Sequence, residues 1–306
     1  EAPAASTTNW RQRLLTDGAD DEPLPREHIE RWLELNRTNA ESLLAALQAG
    51  AGKEYLHQAL TNHPNDPRVL FSALSMDDSA AAKRERLERF KAVAPENALA
   101  DYVSAREHFK NGQPAEAMQD LVNASQKTGF QDYMLDAIQN CEELYLAAGK
   151  SSTEAKALSC CSARLPHLGQ LKGLAQDMAA LQRQYLAAGD AASAETLAQY
   201  GVQLSQHLTT GEGSRALINQ LVGGVVERMV LSPLAADQNY DFLQGTVSDR
   251  LAQLDAQKAA AKETAKFTNE WLPAASEADL ANYLERFKLY GENAAMAWLR
   301  QRHAGP

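Results

Sequence analysis

Four residues in the middle of the chain carry side chains of the kind that bind zinc: Cys141, Cys160, Cys161 and His167. Zinc sites usually take cysteine pairs separated by a few residues, because that spacing brings both sulfur atoms together on one turn. Cys160 and Cys161 are adjacent, so on a helix they point to different sides. Three cysteines also make no disulfide framework. We therefore predict no metal and expect the cysteines to pack as small apolar side chains, with a metal site or a redox role as the alternatives.

General acid–base catalysis needs titratable side chains held within hydrogen-bonding distance of the reacting proton. The histidines are dispersed and form neither an H-E-x-x-H motif nor a pair at helical spacing. They are His28, His57, His63, His108, His167, His207 and His303. Glu142 and Glu143 are adjacent, and adjacent residues on a helix do not face each other. The acidic cluster at residues 20–22 lies in a segment without apolar periodicity. The sequence therefore predicts no catalytic residue.

The glycine-rich segment at residues 211–214 is a further candidate for a functional loop. A phosphate-binding loop needs a lysine and a preceding strand. A nucleophile elbow needs a serine between two glycines at a strand-to-helix turn. Residues 211–214 match neither pattern, so we predict a loop between two helices and no bound cofactor.

Composition narrows the class of protein and of partner. The chain has 306 residues, 44% of them apolar and 7% aromatic, with alanine and leucine dominant, a bias that favours packed helices over sheets. The net charge of −10 argues against nucleic-acid binding, which draws its affinity from lysine and arginine. The basic stretch at residues 83–91 contains Glu85 and Glu88 at helical spacing, which predicts a solvated, ion-paired helix face, with a patch for phosphate or anionic lipid as the alternative.

No apolar run approaches the roughly 18 residues that a membrane-spanning helix needs. We therefore predict no direct membrane span in this chain. Residues 1–24 combine an Ala/Pro/Ser/Thr-rich start with an acidic, turn-rich stretch, which predicts a flexible lead-in. Such a start follows a removed signal peptide or a deleted anchor, or is only where the sequence happens to begin. We expect an exported, periplasmic or membrane-tethered protein rather than a cytoplasmic one.

Helical signals continue from residue 25 to the end of the chain, and no alternating apolar–polar run has the length of a strand. Residues 38–41, 151–154 and 276–279 each place a hydroxyl residue three positions before a carboxylate, the pattern of a helix N-terminal cap. Apolar residues at positions 243, 247, 251 and 254 predict one stripe of a long helix. The predicted fold class is all-α.

Internal repeats decide the predicted architecture. Pro64 and Pro95 stand in similar turns, each of which ends one helix and opens another. The segment Tyr145–Gly149 recurs letter for letter as Tyr185–Gly189. We expect each of these glycines just beyond a helix end with positive φ, where a residue without Cβ is favoured. Since equivalent positions of a repeat face equivalent directions, we expect Tyr145 and Tyr185 to be both largely buried; the alternative is that both are exposed and belong to the partner-binding surface.

These segments resemble tetratricopeptide repeats over roughly residues 38–205. The family's small residue of the first helix matches Ala105, and its inter-helix glycine matches Gly112. Its alanine, large apolar residue and second alanine of the second helix match Ala117, Leu121 and Ala124. The resemblance implies a right-handed solenoid of helical hairpins with a concave groove for a peptide or a protein surface.

The chain also departs from the family. Its tryptophan and leucine positions carry Asp101 and Ser104, the repeat spacing varies from 31 to 40 residues, and the family's basic carboxylate clamp is not evident. The family's closing proline does match Pro64 and Pro95. A divergent solenoid is therefore expected. We predict three parts: the lead-in at residues 1–24, repeats at 25–206 and a C-terminal helical capping region at 207–306.

The predicted function is a non-catalytic scaffold that binds another protein or a peptide. The alternatives are an enzyme with a site between the repeats and the C-terminal helices, and a self-assembling structural protein. Six aromatic residues on the repeat helices either fill gaps between repeats or line the binding surface. They are Tyr102, Phe109, Tyr133, Tyr145, Tyr185 and Tyr200.

Overall fold

The computed structural model describes residues 24–76, 79–211 and 215–303. Helices make up most of this part, and its strands are limited to the two-residue antiparallel pair β1 (Asn239–Tyr240) and β2 (Gly245–Thr246). The predicted all-α class is confirmed. The expected lead-in lies outside the described residues except for Leu24, which is buried.

The helices are numbered along the chain. The first eight are α1 (Arg26–Leu35), α2 (Ala40–Gln48), α3 (Glu54–Asn62), α4 (Pro67–Ser72), α5 (Ala80–Val93), α6 (Leu99–Lys110), α7 (Pro114–Ser125) and α8 (Met134–Ala147). They are followed by α9 (Ser152–Ser162), α10 (Pro166–Ala187), α11 (Ala191–Thr209), α12 (Leu217–Leu231), α13 (Val247–Trp271), α14 (Glu277–Tyr290) and α15 (Glu292–His303). Short 3₁₀ turns occupy Ala73–Ser75, Asp241–Leu243 and Leu272–Ala274.

The chain folds into two compact units, and each unit is built from segments that are not consecutive in the sequence. Unit 1 consists of Glu1–Ala73, Tyr133–Arg164 and Lys266–Pro306. Unit 2 consists of Leu74–Asp132 and Leu165–Ala265. The predicted boundary between residues 206 and 207 falls inside α11, which continues to Thr209. The predicted C-terminal region, 207–306, contributes to both units.

The core of unit 1 has two apolar clusters. The larger one joins α1, α2, α3, α8 and α9 through the side chains of Ile29, Leu43, Tyr55, Cys141 and Leu158. The smaller one joins α9 to the C-terminal helices. It contains Ala157, Trp271, Tyr283, Met296 and Leu299. Helix α9 is therefore shared by both clusters, because its small residues face both sides.

The core of unit 2 depends on small residues that let helices approach closely. Helix α6 packs on α7 and α10, and α10, α11 and α12 pack on one another. A Cβ at Gly201 of α11 would lie 2.5 Å from Val230 Cγ1, and one at Gly223 of α12 would lie 2.6 Å from Thr209 Cγ2. Both helices thus use glycine where the neighbouring helix leaves no room for a Cβ.

The predicted glycine turns are confirmed. Gly149 has φ +86° and Gly189 has φ +80°, each one residue beyond the helix C-cap. In both turns the next amide donates back to the tyrosine carbonyl, Lys150 N to Tyr145 O at 3.0 Å and Asp190 N to Tyr185 O at 2.9 Å. This is the Schellman arrangement, which satisfies carbonyls left unpaired at a helix end.

Two of the three predicted helix caps are confirmed and one is shifted. Ser151 Oγ accepts from Glu154 N at 3.3 Å, and Ser276 Oγ accepts from Asp279 N at 3.0 Å. At the start of α2 the cap is Asn39, whose Oδ1 accepts from Ser42 N at 2.9 Å. Thr38, the predicted cap, instead has φ +51°. Asparagine caps helices at least as well as threonine, so the adjacent residue takes the position.

The predicted stripe of the long helix is wrong at its first residue. Helix α13 begins at Val247, and Leu243 lies in the preceding 3₁₀ turn. Leu243 still packs with Val247 and Leu251 against the cluster around Tyr240. The 3₁₀ turn places Leu243 against the same core that a longer helix would have placed it against. Apolar spacing alone therefore did not show where the helix begins.

Candidate functional site

The cysteines are separated by their positions around the helices. Cys141 is fully buried, its Sγ lies 3.6 Å from Ser162 Oγ, and burial raises the pKa of its thiol to about 12. Cys160 is half-buried against the smaller cluster of unit 1, with its pKa also raised to about 12 by burial. Both thiols therefore stay protonated and weakly reactive at neutral pH. Cys161 is exposed, so the expectation that it packs in the interior is wrong. Consecutive residues on a helix point in different directions, so Cys161 faces away from the core that Cys160 contacts.

The four residues considered as zinc ligands do not belong to one unit. The cysteines belong to unit 1 and His167 belongs to unit 2. Within the described ranges, no three or more His, Cys, Asp or Glu side chains are grouped as metal ligands would be. Metal independence stays a prediction, tested by the metal content of the purified protein.

The two adjacent glutamates have different environments, as predicted for neighbours on a helix. Glu143 is exposed, whereas Glu142 of α8 is buried. Glu142 Oε1 accepts from Lys156 Nζ of α9 at 2.7 Å, and its Oε2 accepts from Lys288 Nζ of α14 at 2.6 Å. Lys156 also donates to Glu285 at 2.7 Å. This lysine–glutamate network ties three helices of unit 1 together.

An aromatic–imidazole cluster lies inside unit 2, centred on His207 of α11. His207 Nε2 lies 3.1 Å from the carbonyl oxygen of Lys127, so the Nε2–H donates to it. Tyr102 OH then donates to His207 Nδ1 at 2.9 Å, and the ring of Phe130 stacks on the imidazole at 6.1 Å. Burial lowers the pKa of His207, although the bond to Lys127 opposes that shift. The cluster therefore holds a neutral imidazole in one tautomer.

His167 also packs near Phe130, with ring centroids 6.4 Å apart. Its Nε2 is 3.4 Å from Asp132 Oδ2, which also accepts from Asn219 Nδ2 at 3.1 Å. A histidine beside a carboxylate is an arrangement used in general acid–base catalysis. Here the imidazole is only 1% exposed, so a substrate has no direct access to it in this conformation.

A second polar network occupies the family's tryptophan and leucine positions. Asp101 of α6 is paired with Lys127 Nζ at 2.5 Å. Ser104 Oγ accepts from Lys91 Nζ at 2.9 Å, and Lys91 also donates to Asp120 Oδ1 at 2.7 Å. All three acceptor residues are buried. These contacts connect α5, α6 and α7.

The basic stretch at residues 83–91 is ion-paired, as predicted. Arg89 pairs with Glu85 at 2.8 Å along the helix. Lys83 reaches Glu107 of α6 at 2.9 Å. Some basic side chains of this stretch therefore form ion pairs on the solvated face of α5, and others pair with a neighbouring helix.

The aromatic residues of the expected repeats differ in burial. Tyr102 and Tyr145 are buried, whereas Phe109, Tyr133, Tyr185 and Tyr200 are half-buried. The prediction that Tyr145 and Tyr185 are buried alike is wrong. The buried stripe of α10 runs through Met178 and Gln182, so Tyr185 lies at its edge at the end of the helix. The two tyrosines also belong to different units.

A surface of arginine and aromatic side chains lies on α14 and α15, and no local sequence motif pointed to it. Arg286 Cζ is 4.8 Å and Arg302 Cζ is 5.8 Å from the ring centroid of Trp298. Nearby, Arg300 Cζ is 5.6 Å from the ring centroid of Phe267. At the end of α14, Tyr290 is 65% exposed.

Comparison with protein-family models, with curated proteins and with solved structures found no match. Among the described helices, none combines the length and the apolar character that a membrane crossing requires. The features of this chain that bear on its function are the buried polar groups and the surface on α14 and α15.

Proposed function

We propose that the chain is a divergent, tetratricopeptide-like helical scaffold that binds another protein or a peptide. The observation that carries the proposal is the α6–α7 hairpin. Ala105, Ala117, Leu121 and Ala124, its family-like positions, are fully buried, and Gly112 turns the chain between the helices with φ +69°. Helical hairpins of this kind leave surfaces free after stacking on their neighbours, and such surfaces commonly bind partners.

The buried charges support an architectural role for the polar residues. Glu142 is held by Lys156 and Lys288, and Asp101 is held by Lys127. In unit 2, Glu227 accepts from Arg250 Nε at 2.5 Å and from its terminal nitrogen at 2.9 Å. Each carboxylate is engaged by a cation from another part of the fold, which favours a scaffold over a set of groups poised for proton transfer.

Affinity capture tests the proposal. The tagged full chain is incubated with an extract of its source cells, crosslinked and analysed by quantitative mass spectrometry. We expect one co-enriched protein that binds the purified chain saturably in calorimetry. Failure of every co-enriched protein to bind the purified chain would contradict the proposal.

Sedimentation of the purified chain separates the self-assembly alternative from partner binding. A scaffold for another protein keeps one sedimentation coefficient over the concentration range used for capture. Growth into large assemblies in the absence of any partner would instead favour a structural protein.

A further inference from the structure

The hairpin of α14 and α15 presents an arginine–tryptophan surface, made of Arg286, Tyr290, Trp298 and Arg302. Arg286 and Tyr290 are four residues apart on α14, and Trp298 and Arg302 are four residues apart on α15, so each pair shares a helix face. The contact of Arg286 with the Trp298 ring joins the two faces. The four side chains therefore form one continuous patch.

The contacts with Trp298 leave hydrogen-bond donors of both arginines available. A cation–π contact engages the charge of the guanidinium and does not occupy all of its five N–H groups. Arg302 Nε binds Asp279 Oδ1 at 2.5 Å, and the Arg302 side chain is still 55% exposed. Arg286 makes no ion pair with a carboxylate in the described part of the chain. Because one indole holds both side chains, less conformational entropy is lost when they bind a ligand.

The chemistry of the patch selects an anionic ligand with an apolar part. Guanidinium groups bind carboxylates and phosphates through paired N–H···O bonds. Exposed Tyr290 offers apolar area to the same ligand. A nucleic acid would bring many phosphates towards a chain of net charge −10, and that repulsion opposes binding. A short acidic peptide brings far fewer negative charges, so the same repulsion opposes its binding much less.

We propose that the arginine–tryptophan surface binds an acidic peptide segment of a partner protein. Arg286 and Arg302 donate to its carboxylates, and an apolar side chain of the peptide packs on Tyr290. The inference rests on the proposed scaffold function and names the chemistry of the partner.

Fluorescence anisotropy with a labelled probe tests the assignment on the full chain. The probe is a fluorescein-labelled hexapeptide of four glutamates and two leucines, and the same peptide with glutamine for glutamate is its control. We expect saturable binding of the acidic probe, weakened by salt and lost with the glutamine peptide. Arg286→Ala should weaken binding by about tenfold, as expected when one charge-assisted contact is lost.

Two control variants show whether a loss of binding is specific to the guanidinium of Arg286. Arg31 of α1 is also exposed and belongs to the same unit, so Arg31→Ala removes the same charge elsewhere and should leave binding unchanged. Arg286→Lys keeps the charge but lacks the planar pair of donors, so its affinity should stay below that of the wild type. Thermal melting of each variant checks that the fold is intact.

Three results would overturn the assignment. They are unchanged binding by Arg286→Ala, an equal loss in Arg31→Ala, and tighter binding of a single-stranded oligothymidine than of the acidic peptide. If the peptide fails to bind while a captured partner binds the Arg286→Ala chain normally, this surface is rejected and the scaffold proposal stands. Failure of both the peptide and the capture experiment would reject the scaffold itself.

Discussion

The two Tyr-Leu-Ala-Ala-Gly segments show how far one residue's role depends on its surroundings. Their glycines adopt the same left-handed conformation, because the Schellman turn is made by bonds within six residues of backbone. Their tyrosines differ, since Tyr145 packs into the larger cluster of unit 1 while Tyr185 lies at the edge of the buried stripe of α10. The repeated sequence therefore gives the glycine the same backbone conformation in both segments, but it does not give the tyrosine the same burial.

Replacing Gly149 by alanine should lower the free energy of unfolding by about 1–2 kcal/mol, because alanine is strained in a left-handed conformation. A Cβ there meets nothing within 4 Å, so the cost comes from the backbone alone. Gly169 of α10 is also open to solvent but lies within a helix, and alanine there should stabilise the chain by roughly 0.5–1 kcal/mol. Denaturant unfolding measures both, and two changes of the same sign would contradict this account.

Truncating the two tyrosines should have unequal effects. Tyr145→Ala removes a buried aromatic ring and should cost about 3–5 kcal/mol, as for other aromatic residues cut back in a core. Tyr185→Ala removes a half-exposed ring and should cost about 1 kcal/mol, the typical effect of a point mutation. Thermal denaturation of the two variants compares them directly. Similar losses would show that the repeats are equivalent after all.

His207 should make unit 2 less stable in acid. Burial lowers its pKa in the folded protein below the unfolded value of about 6.5. As pH falls through the unfolded pKa, the unfolded chain takes up the proton more readily than the folded one, so stability is lost. His207→Gln should therefore flatten the decline of the free energy of unfolding between pH 7 and pH 5. An unchanged slope would show that other groups dominate.

At the scale of the element, buried ion pairs connect helices that are distant in sequence. Glu142 of α8 bonds to lysines of α9 and α14, and Asp101 of α6 bonds to a lysine beyond α7. Replacing such a pair by apolar residues is often neutral, whereas removing one partner leaves a charge unpaired in the interior. The packing of these helices therefore depends on single buried carboxylates such as Glu142 and Asp101.

Glu142→Ala should lower the free energy of unfolding by about 3 kcal/mol, because Lys156 and Lys288 lose their shared partner. Glu143→Ala is the matched control, since the neighbouring side chain is exposed and its loss should change stability by less than about 0.5 kcal/mol. Urea denaturation of the two variants gives the comparison. Equal effects would mean that the network contributes nothing to the packing of α8, α9 and α14.

At the scale of the whole molecule, each unit needs segments that lie far apart in the chain. The smaller cluster of unit 1 is completed by residues after Lys266, and unit 2 contains α12 and the β1–β2 turn from the same half of the chain. An array of simple repeats would instead be complete within one continuous stretch. A fragment of residues 25–206 distinguishes these two cases.

We expect this fragment to lose cooperative unfolding and to expose apolar surface, since Ala157 and Cys160 lose Trp271, Tyr283 and Met296 as packing partners. The full chain under the same conditions is the reference, and circular dichroism with heating is the measurement. A fragment that melts as sharply as the full chain would show that the predicted repeat region is an independent domain.

Local patterns in the sequence predicted the helical class and several of its turns and caps. The all-α class, the glycine turns at 149 and 189 and the caps at Ser151 and Ser276 all depend on hydrogen bonds between residues a few positions apart, backbone to backbone in the helices and turns and backbone to serine side chain in the caps. Each could therefore be predicted from residues that are neighbours in the chain.

Only the tertiary structure decided which side chains meet. Tyr102 and His207 are 105 residues apart, and Lys288 and Glu142 are 146 residues apart, so no local spacing could signal either contact. The arginine–tryptophan surface likewise needs two helices folded against each other before Arg286 reaches Trp298. Helix formation is governed by nearby residues, whereas burial, ion pairing and surface chemistry depend on partners that folding brings from distant parts of the chain.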